Sequence, residues 1–115
     1  KARQINIYRL MSQKYDTQRY RRYMATVYKF TSDDCLTCDT VNKLFDDELD
    51  ELEDSIDLIE VCCSTPDGLA LACYMDVHVF PTYILEDEKA RISGLCSKAT
   101  IRDFLDLCIK EQSCH

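Results

Sequence analysis

The chain has no tryptophan and only two histidines, two glycines and two prolines in 115 residues. With His78 and His115 alone, and a single C-x-x-C, a tetrahedral zinc site would have to be completed by scattered cysteines. No metal and no organic cofactor is therefore expected. No apolar run approaches the length of a membrane span, so no membrane span is expected. The chain also does not open on a signal-like apolar segment. It starts at Lys1-Ala2-Arg3, so that second absence says little about targeting. The only asparagines, Asn6 and Asn42, are not followed by a glycosylation acceptor pattern. There is no internal repeat, no low-complexity stretch and no linker, and one domain over 1–115 is expected.

What is present begins with charge. Net charge is -7, and it is unevenly placed. Residues 1–30 hold eight Lys/Arg against one acid, Asp16, giving +7; residues 31–115 hold six against twenty, giving -14. The acidic remainder argues against nucleic acid as a partner. Arg19, Arg21 and Arg22 interleave with Tyr20 and Tyr23, which reads as a solvated helix face over packed tyrosines rather than a docking patch.

Eight cysteines is a high count for this length. An even number allows a disulfide framework and points to the endoplasmic reticulum lumen or a secreted location, with the cytoplasm as the alternative. Hydrophobic content of 46% is enough for a packed core without staples. Buried cysteine also behaves as a small hydrophobe.

The elements follow from periodicity. Gln4 to Leu10 alternates as a first strand. Ser12 can cap a helix over roughly 13–24. The run Ala25-Thr26-Val27-Tyr28-Lys29-Phe30 is a buried second strand over 25–31. Asp33 and Asp34 can cap the next helix, whose apolar face is Cys38, Val41, Phe45, Leu49 and Leu52; the acids from Asp46 to Asp54 are its solvated side. Ser55 to Cys63 is a third, central strand. Thr65-Pro66-Asp67-Gly68 is a turn, and Leu69 to Met75 a short helix. Phe80 to Leu85 is a strand with proline near its start, where a missing N–H is tolerated. Glu86 to Lys89 turns the chain into a hairpin partner, Ala90 to Gly94. The last helix begins at Ser97 or Lys98 and carries Ile101, Phe104, Leu105, Cys108 and Ile109. The order is β-α-β-α-β-α-β-β-α. Right-handed crossovers make the first three strands parallel, and the last two form an antiparallel hairpin.

The chemistry-bearing motif is Cys35-Leu36-Thr37-Cys38, at the start of a helix and just after a buried strand. A thiol there meets free backbone N–H groups at the positive end of the helix dipole, which favours thiolate. The second thiol lies three residues on, close enough to close a small disulfide ring. Redox chemistry, a structural disulfide and half of a zinc site all fit the spacing alone.

This element order, with C-x-x-C after the second strand, Val79-Phe80-Pro81-Thr82 before the fourth and Gly94-Leu95-Cys96-Ser97-Lys98 before the last helix, resembles the thioredoxin superfamily over nearly the whole chain. It includes domains like those of protein disulfide isomerase. The resemblance implies an α/β fold: a central mixed sheet of about five strands with helices on both faces. It implies that Cys35 is the attacking thiolate and Cys38 the resolving thiol. Pro81 then holds a cis peptide beside the disulfide, and the backbone at Phe80 pairs with an extended substrate. The implied partners are protein or peptide thiols and disulfides.

The chain departs from the family pattern in three places. Asp34 stands where the family has Trp before the first cysteine. Leu36-Thr37 replaces Gly-Pro or Gly-His. Lys29 stands where the family has a buried acid. Lys29 either points its ammonium toward Cys38, favouring thiolate, or snorkels to water. Asp33 and Asp34 oppose the dipole by raising the pKa of Cys35. Of the other cysteines, Cys62 and Cys63 point to opposite faces and either could bridge to Cys73. Cys108 is core. Cys96 and Cys114 lie nearer the surface, where a cysteine could engage a partner protein. Two functional classes follow. One is a thiol–disulfide oxidoreductase or isomerase working through Cys35 and Cys38. The other is a non-catalytic binding module, secreted or lumenal, with a structural Cys35–Cys38 disulfide.

Overall fold

The computed structural model describes residues 3–4, 24–52 and 55–113. Its elements are β1 (Arg3–Gln4), β2 (Ala25–Thr31), α1 (Leu36–Leu49), β3 (Ile56–Cys62), α2 (Pro66–Tyr74), β4 (Thr82–Leu85), β5 (Arg91–Ser93) and α3 (Lys98–Ser113). The five-stranded sheet runs β1-β3-β2-β4-β5. Strands β1, β2 and β3 are parallel, while β4 is antiparallel to β2 and β5 to β4. This is the mixed sheet that the sequence pattern predicts. The expected helix over 13–24, and most of the expected first strand, lie outside the described residues.

Strand β2 is buried along its whole length because it sits between β3 and β4 with helices on both faces. Its alternate residues serve two cores. Ala25 and Val27 join Val41, Phe45 and Leu49 of α1 and Ile101, Phe104, Leu105 and Cys108 of α3. Tyr28 and Phe30 face the other way, toward Leu71 and Ala72 of α2 and Met75 and Val77 beyond it. In the first core Phe45 stacks on Tyr83, with ring centroids 3.9 Å apart. Each such buried ring contributes roughly 2–3 kcal/mol of apolar transfer.

Local chemistry moves several boundaries. Helix α2 starts at Pro66, so the residues expected as a free turn form its first turn. Thr65 is its N-cap, with Oγ1 accepting from the Gly68 N–H at 3.1 Å, and proline is tolerated at the first helical position because its missing N–H has no partner there. A Cβ at Gly68 would lie 1.8 Å from the Cys62 carbonyl oxygen, so glycine is what lets α2 close onto the end of β3. Helix α1 stops at Leu49, and Leu52 packs against the core from the turn beyond it. Strand β4 begins at Thr82, two residues later than expected, after a cis Phe80–Pro81 bond.

Helices α1 and α3 are tied by a buried charge. Glu48 is 2% exposed. It accepts from Arg102 at 2.6 Å and meets Lys98 at 3.6 Å. The Arg102 hydrogen bond, which outweighs desolvation, holds the Glu48 carboxyl below its ordinary pKa. The apolar face of α1 therefore includes one acid that the sequence pattern assigns to solvent.

Candidate functional site

Four loops meet at one end of the sheet. Strands β2 and β3 finish there together, with Thr31 opposite Cys62. Strand β4 starts there, with Thr82 opposite Phe30, and β5 ends there, with Ser93 opposite Thr82. The loops are cross-tied. The Asp33 N–H donates to Ser64 Oγ at 2.8 Å. Thr82 Oγ1 donates to the Val79 carbonyl at 2.6 Å and lies within hydrogen-bond distance of Ser93 Oγ at 3.0 Å. The Gly94 N–H donates to the Pro81 carbonyl at 2.8 Å, with Gly94 at φ 70°, a conformation that glycine adopts without strain.

Cys35 and Cys38 form a disulfide at this end, with Cα atoms 5.2 Å apart. The helix cap is Cys35 itself, not Asp33 or Asp34 as expected. Its Sγ accepts from the Cys38 N–H at 3.1 Å. Asp34 has a φ of 61°, which commits it to the turn before the helix, and the Asp33 backbone is held by Ser64. A sulfur in the cap position meets the orphan N–H groups of the first turn directly. Cys35 is half-buried, Leu36 is exposed, and Cys38 is buried on the sheet side of α1. The pair thus has one sulfur toward solvent and one inside. Pro81 is buried and Phe80 packs at the rim of the α2-side core, so the cis loop is anchored.

Lys29 corrects an expectation. Its side chain lies on the same face as Val27, beneath α1, as alternation requires. Yet the ammonium does not snorkel to water, and it does not stand alone beneath Cys38. It is 6% exposed and pairs with Glu60 Oε2 at 3.1 Å. Glu60 is its register partner on β3, and Tyr83 is its register partner on β4. The Tyr83 hydroxyl donates to Asn42 Oδ1 at 2.5 Å. Asn42 is four residues after Cys38, on the same side of α1. A polar row, Glu60–Lys29–Tyr83, therefore crosses the sheet under the first turns of the cysteine-bearing helix. Burial raises the Tyr83 pKa, and the charges of Asp46, Cys96 and Glu60 raise it further, so its hydroxyl stays a donor. Glu60 is the residue that sequence reasoning missed. Its signal was a second charge interrupting an apolar strand, at the position that faces Lys29.

Bridges from Cys73 to Cys62 or Cys63 are not formed. Cys62, Cys63, Cys73, Cys96 and Cys108 are free thiols. Cys62 and Cys63 do have separate environments, as expected. Cys62 is half-buried with Sγ 3.9 Å from Asp33 Oδ1, whereas Cys63 lies in the α2-side core. Burial, then the neighbouring Cys62 and Cys73, push the Cys63 thiol up to about 11. Burial, then Asp87 and Glu111, push Cys108 up to about 12, as befits core. Cys96 is half-buried and its thiol pKa is raised by desolvation, with the Gly94 and Ser93 carbonyls both within reach of its single S–H. Cys114 lies outside the described residues. No helix among the described residues is long and apolar enough to cross a membrane.

No protein-family model and no curated protein matches the chain. Solved structures do. A thioredoxin from Thermus thermophilus superposes with a TM-score of 0.72 at 22% identity, covering 98% of this chain and 92% of that one. Thioredoxin O2 from Arabidopsis thaliana, in its oxidised state, gives 0.71 at 14% identity and covers 90% of each chain. Thioredoxin f2 from Chlamydomonas reinhardtii gives 0.69 at 16% identity and covers 97% of each. The chain has the thioredoxin fold, with a C-x-x-C disulfide at the start of α1.

Proposed function

We propose that the protein is a thiol–disulfide oxidoreductase acting on protein or peptide disulfides through Cys35 and Cys38. The observation that carries this reading is the Cys35–Cys38 disulfide across the first turn of α1, at the sheet end it shares with the cis Phe80–Pro81 loop.

In the reduced protein the Cys35 thiolate, favoured by the N–H groups of the first turn, attacks one sulfur of a substrate disulfide. A mixed disulfide forms, and the other substrate sulfur leaves as thiolate, taking a proton from solvent. Cys38 then loses its proton and attacks Cys35 Sγ. The second substrate thiol is released and the Cys35–Cys38 bond closes. The substrate disulfide gains two electrons and the protein dithiol loses two. An external dithiol resets the pair, and run backwards the same steps oxidise a dithiol. Phe80 and Pro81 offer a rigid loop at the same end of the sheet, where an extended substrate backbone can lie. Lys29 and Glu60 supply a buried charge pair under the helix that carries the resolving thiol. Asp34 places negative charge next to Cys35 and opposes the helix dipole.

A second reading, a binding module with a structural disulfide, is favoured by one observation. The buried position beneath α1 holds a paired cation, and two acids precede Cys35. Insulin reduction with dithiothreitol as reductant separates the readings, with Cys35→Ser as the control. Loss of activity in Cys35→Ser supports the enzyme, and equal behaviour of variant and wild type refutes it. The reduction potential adds a scale: catalysts span about -120 to -270 mV, and structural bonds lie below about -300 mV.

A further inference from the structure

The disulfide end of the sheet has a surface chemistry of its own. On the loops at this end stand Leu36, 84% exposed, Val79, 50% exposed, and Leu95, 75% exposed. The loops bearing Val79 and Leu95 are adjacent: a Cβ on Gly94 would sit 3.4 Å from Val79 Cγ1. Soluble surfaces seldom gather large apolar side chains around a reactive group unless something covers them. Among the described residues, the loop segments at this end carry charge of one sign. Segments 32–40, 62–68, 79–81 and 93–97 contain Asp33, Asp34, Asp39 and Asp67, and no Lys, Arg or His. Asp33, Asp34 and Asp39 are exposed. Of the described basic residues near these segments, Lys29 pairs with Glu60, Lys98 with Glu48 and His78 with Asp76, while Lys43 is exposed one turn beyond Asp39.

We propose that this end selects cationic, apolar polypeptide segments. The substrate presents its disulfide with an apolar residue next to the reacting cysteine and Lys or Arg one or two positions away. The apolar neighbour covers Leu36, Val79 and Leu95. The cations meet the aspartate rim, which steers their approach and repels acidic segments. The rim works against thiolate formation on Cys35 in the empty protein. A bound cation neutralises that field, so a cationic substrate also relieves the penalty on the nucleophile. This substrate class rests on the reading of Cys35–Cys38 as the reactive pair.

Two measurements on the full chain test it. The first is kcat/KM for three disulfide peptides that differ only in two positions flanking the cysteine: Lys, Gln or Glu. The Lys peptide should exceed the Glu peptide about tenfold at low salt, and the gap should shrink severalfold at 0.5 M salt, where charges are screened within roughly 4 Å. In Asp33→Asn/Asp34→Asn the same gap should narrow at low salt; asparagine tolerates the left-handed turn at position 34. The second measurement needs no chemistry. It is the affinity of the oxidised protein for the same peptides with serine in place of cysteine. A salt-sensitive preference for Lys there supports the surface even if no peptide is turned over, an outcome that would sink the redox reading alone. Equal or better binding of the Glu peptide, or a Lys preference unmoved by salt, overturns the proposal.

Discussion

Lys29→Met probes the polar row most directly. The substitution keeps an unbranched side chain of similar length and removes a cation 3.1 Å from a carboxylate whose side chain is only 24% exposed. Breaking a fully buried ion pair by removing one partner costs about 3–5 kcal/mol. Glu60 reaches some water, so the loss should be smaller, about 2 kcal/mol, in the range for a hydrogen bond to a charged group. Removing both charges in Lys29→Met/Glu60→Met should restore most of that loss, because two apolar side chains need no desolvation. The denaturant midpoints of wild type, both single variants and the double variant form a cycle with a coupling of about 2 kcal/mol. The same four proteins report on the chemistry. With Lys29 gone, the row loses its positive charge, and the reduced Cys38 thiol should titrate higher and the potential become more negative. Glu60→Gln should move both the other way, and the double variant should return close to wild type. Additive stabilities, or a Cys38 titration that ignores all three changes, would refute the view that the pair acts as one unit beneath the helix.

Other tests bear on the scaffold. Gly68→Ala forces a Cβ to within 1.8 Å of the Cys62 carbonyl, so α2 must shift off β3; a loss of about 3 kcal/mol or more in the urea midpoint is expected. Glu48 has a lowered pKa in the folded chain, so its contribution is complete above its ordinary value of 4.5 and is lost as pH falls through the lower folded-state value. The stability gap between wild type and Glu48→Gln should therefore be widest at neutral pH and close in acid, and a gap independent of pH would contradict the Arg102 pairing. Alkylation of the native oxidised protein at pH 8 should reach exposed Cys73 well before Cys63 and Cys108, whose burial keeps them protonated. Mass mapping that finds Cys108 modified before unfolding would count against the core assignment.

Much of this site was legible from the residues because its signals are local. C-x-x-C at a helix start, proline before a short strand, and glycine before the last helix each mark a backbone event within a few residues. The buried strand at Ala25 to Thr31 and the stripe Val41, Phe45, Leu49 fixed the layers in the same way. What escaped was set by pairing across strands. Glu48 looked like solvated acid, because its partner Arg102 lies 54 residues away on α3. Asp33 and Asp34 looked like helix caps, because the type of residue that caps a helix is local but the turn that carries them is fixed by Ser64. Lys29 shows the limit most clearly. Its side chain direction followed from period two alone. Its chemical meaning depended on register, since only the parallel match of Lys29 to Glu60 decides whether the cation faces a thiol, water or a carboxylate. A one-residue slip of β3 would bring Ile59 or Val61, which face the α2-side core in this register, against Lys29 and turn Glu60 to the other face. The buried charge on the face beneath α1 is thus a property of the sheet as a whole, which is why no reading of β2 by itself could assign it.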